Sequence, residues 1–565
     1  MKHWFFKLLA KGHGSQLVLL LAISIALIIL GHFICQISWT EAINLFFDPS
    51  SFAGDEVQIS NTETIIRLIF ALFGLFIFST LLVSVFTNVF DNITEAARTG
   101  KARYRIKNHI LILGSGHQLS SILKSLEHEE KKRIVVVTDQ DLDVCDEFIY
   151  YKGDFDNKDV LNSIRASFCK AIYIIGEDGP DHDSRSLHCL EQLSNILKDT
   201  SRVIHCYLTI SDLVTSEIFY SLKTRPNYGN LRVDIFNEQE FMVEQLLVEK
   251  DFLPLIETKD KVRSHVVIFG SSNVAKAVAY TVAQVSHYAN FKETGLKTCI
   301  TFINEGCKKW MDSLKAARPG LFELSKYTFI DHDGNRIVHE PDASKGDFLD
   351  IEWQFINTYD ESEQVKNILA DIINNKSEIL SICVCHENPA DVIATTMHLP
   401  QIVYKNAKIA LYWGGNSDEI IQQLNLSQKC GNIYILGNCG KIKYVDTERV
   451  KRGQRANYIY ASHMNPSIQE SDAESLWYKL SEAHKNSSIY CANAMILRRK
   501  SFDPEASKEI HQDAEHRRWM ASILLMGINS HKDIKPYDKL SQDEKDKDVV
   551  FIDNTDYIVD GKKEG

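Results

Sequence analysis

Two uncharged apolar runs stand near the head of the chain, Leu17 to Cys35 (LVLLLAISIALIILGHFIC) and Leu68 to Val89 (LIFALFGLFIFSTLLVSVFTNV). At 1.5 Å per residue each can cross a bilayer core of about 30 Å, so each predicts a membrane-spanning helix. Lys2, Lys7 and Lys11 precede the first run as they would a signal peptide, but the run is too long and no small-residue cleavage site follows it. After residue 107 the pattern changes to short apolar strands alternating with helices, and after about residue 443 to helical stretches alone.

The flanks set the orientation. Lysines precede the first run, and Arg98, Lys101, Arg103, Arg105 and Lys107 follow the second, whereas residues 36–64 hold Glu41, Asp48, Asp55, Glu56 and Glu63 and no base. Both ends are therefore expected on the cytoplasmic side of a cell (inner) membrane crossed more than once. Two spans cannot enclose a pathway alone, so a conducting role requires a ring of subunits, and a homotetramer is the natural expectation.

Between the spans, Trp39 to Phe47 (WTEAINLFF) has helical composition and DPSSFAGDE breaks it. This reads as a re-entrant half-helix and turn over residues 39–56. Asp48, Pro49, Gly54, Asp55 and Glu56 would shape the outer mouth, where rings of carboxylates attract permeant cations. A solvated acidic loop is the other reading. In the second span Thr80, Ser84, Asn88 and Asp91 share a helical face with Thr87, which suits either the lining of a wet pore or packing through small polar residues. No TVGYG is present, so potassium selectivity cannot be read.

HILILGSGHQLSSILKSL reads as a buried strand, a glycine turn and a helix, and RIVVVTDQD as a second strand ending in Asp139, 25 residues after Gly114. That is the opening of a dinucleotide-binding unit, with Gly114, Gly116, Asp139, Gly153 and Asp154 as candidate nucleotide contacts. The third glycine position holds Leu119, and a fold that binds nothing there is the rival reading. A second cycle begins at SHVVIFGSSNVAKAVA, with Gly270, Ser272 and Ala275 at the turn, making a tandem repeat. In SICVCHE, Cys383, Cys385 and His386 suggest interior packing rather than a metal site, so no metal is expected.

Composition excludes little but usefully. At 44% hydrophobic and 24% charged, the 565 residues are those of a folded chain. A net charge of -12 argues against a nucleic-acid partner. Twelve cysteines without zinc spacing read as reduced thiols.

The segment DPSSFAGD, the span ending in SVFTNV, and RTGKARYRIKNHILILGSG together resemble the CASTOR/POLLUX group of ion channels over about residues 40–140. Gly153 and Asp154 with the helix after them resemble the RCK, or TrkA-N, fold. Trp477 and Leu480 ahead of Asn486 and Ser487, then Glu515-His516-Arg517-Arg518-Trp519, then Lys535-Pro536-Tyr537-Asp538-Lys539-Leu540 resemble the RyR domain. That resemblance implies a small helical recognition module, with an adenine-containing nucleotide as a ligand class. Trp477, Asn486, Glu515, His516, Arg518 and Trp519 are its candidate pocket. Arg518 offers a guanidinium to phosphate and Trp519 an indole for stacking. The alternative buries Trp519 and pairs Arg518 with Glu515 at i,i+3.

The expected architecture is a two-span α-helical membrane pore module (1–95), a linker (96–107), tandem α/β Rossmann-like RCK domains (108–260 and 261–442), a small α-helical RyR-like domain (443–550) and a tail (551–565), with SQDEKDKD and the charges around Asp560 to Glu564 solvated. No catalytic motif is present, so no enzyme is expected. The expected function is a cation channel gated by a small nucleotide-type molecule, possible in stress or defence signalling by analogy. A regulatory subunit of a separate transporter and a membrane-tethered nucleotide enzyme are the alternatives.

Overall fold

The computed structural model describes residues 13–48, 61–102, 105–126, 133–142, 147–198, 200, 202–221, 226–342, 344, 347–413, 433–437 and 447–562. The chain divides into two compact units, one built mainly from residues 1–104 and the other from most of the remainder.

The first unit holds helices α1 (His13–Cys35), α2 (Trp39–Phe47) and α3 (Asn61–Arg98). Ser38 starts α2 with a capping box: its hydroxyl accepts from the Glu41 N–H, and the Glu41 carboxylate accepts from the Ser38 N–H. Ala42, Leu45 and Phe46 are buried with Cys35 and Ala71. Gly74 of α3 lets α2 approach closely, since a Cβ there would lie 2.5 Å from the Phe46 carbonyl oxygen. Among the described residues no helix is both long and apolar enough to cross a membrane. The side chains of residues 13–20 in α1 and of Leu81, Leu82, Ser84, Val85 and Asn88 in α3 lie outside that description.

The second unit contains two sheets. Strands β1 (Ile110–Leu113), β2 (Ile134–Thr138), β3 (Ile149–Lys152), β4 (Ala171–Ile174), β5 (Ile204–Ile210) and β6 (Leu231–Asn237) are ordered β3-β2-β1-β4-β5-β6. β1 pairs in parallel with both β2 and β4, the arrangement of a doubly wound dinucleotide fold. Helices α4 (Leu119–Ser125), α5 (Leu213–Ser221) and α6 (Glu238–Glu244) belong to this half.

The second sheet repeats that core. Strands β7 (Arg263–Phe269), β8 (Thr298–Ile303), β9 (Lys326–Ile330), β10 (Arg336–His339), β11 (Ile351–Ile356), β12 (Glu378–Val384), β13 (Lys408–Tyr412) and β14 (Ile433–Leu436) run in the order β10-β9-β11-β8-β7-β12-β13-β14. β10 pairs antiparallel with β9 at the edge. Helix α7 (Asn273–Val285) follows β7, capped by the Ser272 hydroxyl. Cys383 and Cys385 are fully buried, as packing required.

The C-terminal helices α8 (Thr447–Met464), α9 (Glu482–Lys500), α10 (Lys508–Leu525), α11 (Gln542–Asp553) and α12 (Thr555–Asp560) share one hydrophobic core with the second sheet's helices. Tyr490, Met495, Met520 and Leu524 join Val278 and Val282 in it. The charged end expected to be solvated is exposed over residues 560–562, whereas Tyr557, Ile558 and Val559 just before it in α12 are buried in that core. Burying three adjacent apolar side chains outweighs the charges around them.

Candidate functional site

The glycine turn after β1 has the backbone a phosphate loop needs. Gly114 has φ +101°, and a Cβ there would fall 2.0 Å from the Gly176 carbonyl oxygen, so only glycine fits. The loop's donors, however, are taken by the chain itself. Ser115 donates from its N–H (3.1 Å) and hydroxyl (2.6 Å) to Glu177, and the Thr138 hydroxyl donates to the same carboxylate. The His117 N–H donates to Asp178 at 3.0 Å, and the His117 ring bridges Asp178 (2.8 Å) and Glu238 (2.7 Å). The hydrogen bond to Glu238 raises the imidazole's pKa to about 9, with burial opposing and the negative charges assisting.

The remaining candidates of this loop are also engaged. Asp139 and Asp154 both accept from Arg185, at 3.2 and 3.0 Å, and Asp156 joins them at 3.4 Å. The Gly153 N–H donates to the Thr138 carbonyl. Gly116 donates its N–H to the Gly176 carbonyl. A pyrophosphate would have to displace two carboxylates and enter a field of acids, so in this conformation the chain's own groups close the seat around these five residues.

The C-terminal helices enclose a different kind of site. A cavity of about 570 Å³ opens between α8, α9, α10 and α11, within the size range of small-molecule sites. His516, Arg518 and Trp519 line it from α10, His484, Ser487, Ser488 and Cys491 from α9, and Glu544, Lys547 and Asp548 from α11. Tyr220 of α5 completes the wall from the first sheet's half, and its hydroxyl donates to Glu240 at 2.7 Å.

Arg518 is 2% exposed. Its Nε donates to Glu515 at 2.8 Å, and Glu515 accepts from Arg498 at 3.0 Å on the other side. Burial alone would push the Glu515 carboxyl up, but the two guanidiniums outweigh it and hold the group below the ordinary range. Arg518 Nη1 is buried and has no hydrogen-bond partner. A buried charged donor left open is costly, which marks it as a seat for an anion. The His516 ring lies near-parallel to Trp519, centroids 5.6 Å apart, and its Nε2 donates to the Lys535 carbonyl. Burial raises the pKa of Asp548 to about 6, with His516 at 3.5 Å working against the rise.

Arg518 thus pairs with Glu515 at i,i+3 as the alternative reading has it, while the part-buried Trp519 lines the cavity beside it and is not enclosed in the core. Two candidates lie elsewhere. Trp477 is 1% exposed, packs with Tyr478 and Ile489 and donates its indole N–H to Asp234, so core packing claims it. Asn486 is buried on α9 and does not line the cavity, whereas its neighbours Ser487 and Ser488 do. Tyr220, Asp533 and Asp548 were not legible as site residues, because distant segments carry them. Arg517 faces away and clamps α10 to the second sheet's half, donating to Asp350 and to the Tyr288 carbonyl.

Of the outer-mouth candidates, Asp48 is exposed and ends α2, its N–H donating to the Asn44 carbonyl. Pro49, Gly54, Asp55 and Glu56 lie outside the described residues. Thr80, Thr87 and Asp91 are exposed on α3, and the side chains of Ser84 and Asn88 lie outside the description. Among the described residues no cluster of His, Cys, Asp and Glu could hold a metal ion.

No family model matches the chain, and no curated protein is similar to it. Among solved structures it is similar to the GsuK channel (14% identity, TM-score 0.38, 75% of this chain and 93% of that one). It is similar also to GsuK bound to ADP (14%, 0.39, 75% and 93%) and to GsuK bound to NAD (12%, 0.38, 76% and 81%). At this overlap and identity the likeness says nothing of this chain's own ligand.

Proposed function

We propose that the chain is a subunit of a cation channel opened or closed by an anionic, nucleotide-type small molecule held in the C-terminal cavity. The observation that carries the ligand is the buried Arg518 guanidinium, fixed from behind by Glu515 and open towards the cavity. Its neighbours His516 and Trp519 supply an aromatic wall on which a base can stack.

The channel half of the reading is supported by the first unit. α1 and α3 are 23 and 38 residues long, and large apolar side chains face outward along them, Phe33 at 69% and Phe76 at 73% exposure. A bilayer is the environment that such faces suit. The capped half-helix α2 ends at exposed Asp48, where four copies around an axis would ring an outer mouth with carboxylates. Thr80, Thr87 and Asp91 give α3 a polar face for the pathway.

Four modest sites suffice for gating. Moving a channel from about 1% to 99% open needs roughly a 10⁴-fold preference for the open state, about tenfold per subunit in a tetramer. Occupancy of the cavity would reach α3 through the basic link from Arg98 to Lys107. The test is cation flux into liposomes carrying the full chain, with nucleotides applied to the cytoplasmic face. Flux should respond to nucleotide in the wild type and not in Arg518→Ala. Asp48→Asn should lower conductance, while Glu63→Gln should leave it nearly unchanged. Anion preference in the unmutated protein would end the pore assignment.

A further inference from the structure

The cavity wall holds two buried polar atoms without hydrogen-bond partners, and they have opposite character. Arg518 Nη1 is a donor left open, and Asp533 Oδ1 is an acceptor that takes no hydrogen bond, with the Lys535 ammonium 3.7 Å away. Both residues line the cavity, and both are more than nine-tenths buried, at 2% and 6% exposure. Buried polar groups are normally satisfied, so a ligand that completes this wall must present an acceptor at one end and a donor at the other.

The charges of the wall narrow the class further. Glu544, Asp533 and Asp548 also line the cavity, Asp548 beside His516 at 3.5 Å. Lys532 also lines it, and the ammoniums of Lys532 and Lys535 are both held by Glu544, at 3.0 and 3.2 Å, with Lys535 reaching Asp533 at 3.7 Å. Lys547 also lines the cavity, from a part-exposed position on α11. Arg518 therefore supplies the deeply buried positive charge with an open face. One phosphate matches it. Each additional phosphate would bring further negative charge into a partly enclosed space that already holds three carboxylates, where like charges repel strongly.

We propose that the cavity binds a nucleoside monophosphate, its phosphate on the Arg518 guanidinium, its base against the His516–Trp519 wall, and a sugar hydroxyl or base amine donating to Asp533. This rests on the nucleotide-type reading above and sharpens it to the number of phosphates. A nucleoside without phosphate leaves Arg518 open, and a di- or triphosphate meets the acidic wall. Inorganic phosphate satisfies the guanidinium but leaves both the aromatic wall and Asp533 unused.

Isothermal titration of the detergent-solubilised full chain tests this with AMP, GMP, CMP and UMP, and with the matching nucleosides, diphosphates and triphosphates and inorganic phosphate. At least one monophosphate should bind about tenfold or more tighter than its nucleoside, its diphosphate and its triphosphate. Arg518→Lys, which keeps the charge but loses the planar fork, should weaken that monophosphate about tenfold or more. Asp533→Asn should weaken the monophosphate and leave inorganic phosphate unchanged. The ranking in the wild type needs no variant, so a misfolded substitution cannot hide the answer. Diphosphate or triphosphate binding as tightly as monophosphate, and weakened by Arg518→Lys, would overturn the single-phosphate class while leaving the nucleotide cavity standing. No binding by any of these probes, or binding indifferent to Arg518→Lys, would overturn both.

Discussion

The glycine turn after β1 and the C-terminal cavity both gather donors of the kind that hold an anion, and they differ in what fills them. At the turn, Glu177 and Asp178 occupy the amide and hydroxyl donors of Ser115 and His117, so the chain supplies its own anion. In the cavity, Glu515 takes the rear of Arg518 and leaves the front open. A carboxylate next to an anion seat can thus close it or brace it, depending on the side from which it arrives. The glycine pattern advertises the first seat and nothing so conspicuous advertises the second. Open donors, rather than glycines, identify the site that can accept a ligand.

The largest effect is expected where bracing is removed. Glu515→Ala would leave Arg498 and Arg518 buried without their shared partner, and breaking a buried pair in this way costs about 3–5 kcal/mol. Chemical denaturation of the full chain in detergent should show this loss in the transition that reports the C-terminal helices. A loss below about 1 kcal/mol would mean that Glu515 does not hold Arg518 in place, and the contrast between bracing and closing would collapse.

The next effect concerns a carboxyl of the cavity wall. Burial raises the pKa of Asp548 from 3.8 to about 6 in the folded chain. Between these values the folded state holds the proton more tightly than the unfolded one, so stability falls as pH rises through the window and the cost is complete above pH 6. Asp548→Asn should therefore stabilise the protein by about 1–3 kcal/mol at pH 7.5 and by little below pH 4. Thermal melts across that range check it, and an equal gain at both ends would show that charge is not the cause.

Much of this architecture is legible along the chain, and the failures have physical reasons. Helix α2 is readable because WTEAINLFF has helical composition and DPSSFAGDE breaks it, and α2 spans Trp39–Phe47. β1 and β2 are continuous apolar runs, as expected of strands covered on both faces. β11 is not conspicuous, because Trp353 and Phe355 alternate with the half-buried Glu352 and Gln354 and break the run. β9 and β10 sit beyond it at the sheet edge, where apolar pressure is weaker. His516, Arg518 and Trp519 are readable from their chemistry. Asp533 and Tyr220 are not, because each acquires meaning only when folding brings it to the same wall. Glu177 and Asp178 follow β4 in the sequence, but their hold on Ser115 and His117 exists only once the turn is folded.

Opening the closed seat should have a smaller effect than unbracing the cavity. Glu177→Gln combined with Asp178→Asn removes two negative charges from the turn while keeping the side-chain shapes. Affinity of this loop for ADP should rise about tenfold, equivalent to about 1.4 kcal/mol, from a very weak baseline. The measurement is titration in the Arg518→Ala background, so that the cavity does not contribute. Unaltered weak binding would show that Asp139, Asp154 and Asp156 also keep phosphate away, and strong binding in the unmutated loop would erase the distinction between the two seats.

The smallest effect is the pH dependence of the closed seat. His117 bridges Asp178 and Glu238, and its pKa is raised from 6.5 to about 9 chiefly by the hydrogen bond to Glu238. Its stabilising contribution is full below pH 6.5 and is lost as pH rises through about 9, because the folded state keeps a proton that the unfolded state releases. The side chain is half-exposed, so solvent screening reduces the contribution to about 1 kcal/mol or less. Amide exchange of Ser115 and His117 reports the loop directly, without requiring global unfolding. Exchange at both amides, corrected for intrinsic pH dependence, should quicken severalfold between pH 7 and 10 in the wild type. His117→Gln should already be quick at pH 7 and should lose the extra pH dependence. If the wild-type amides stay equally protected at pH 10, the carboxylates close the turn without the imidazolium, and the seat is shut by hydrogen bonds from Ser115, Thr138 and the His117 backbone N–H.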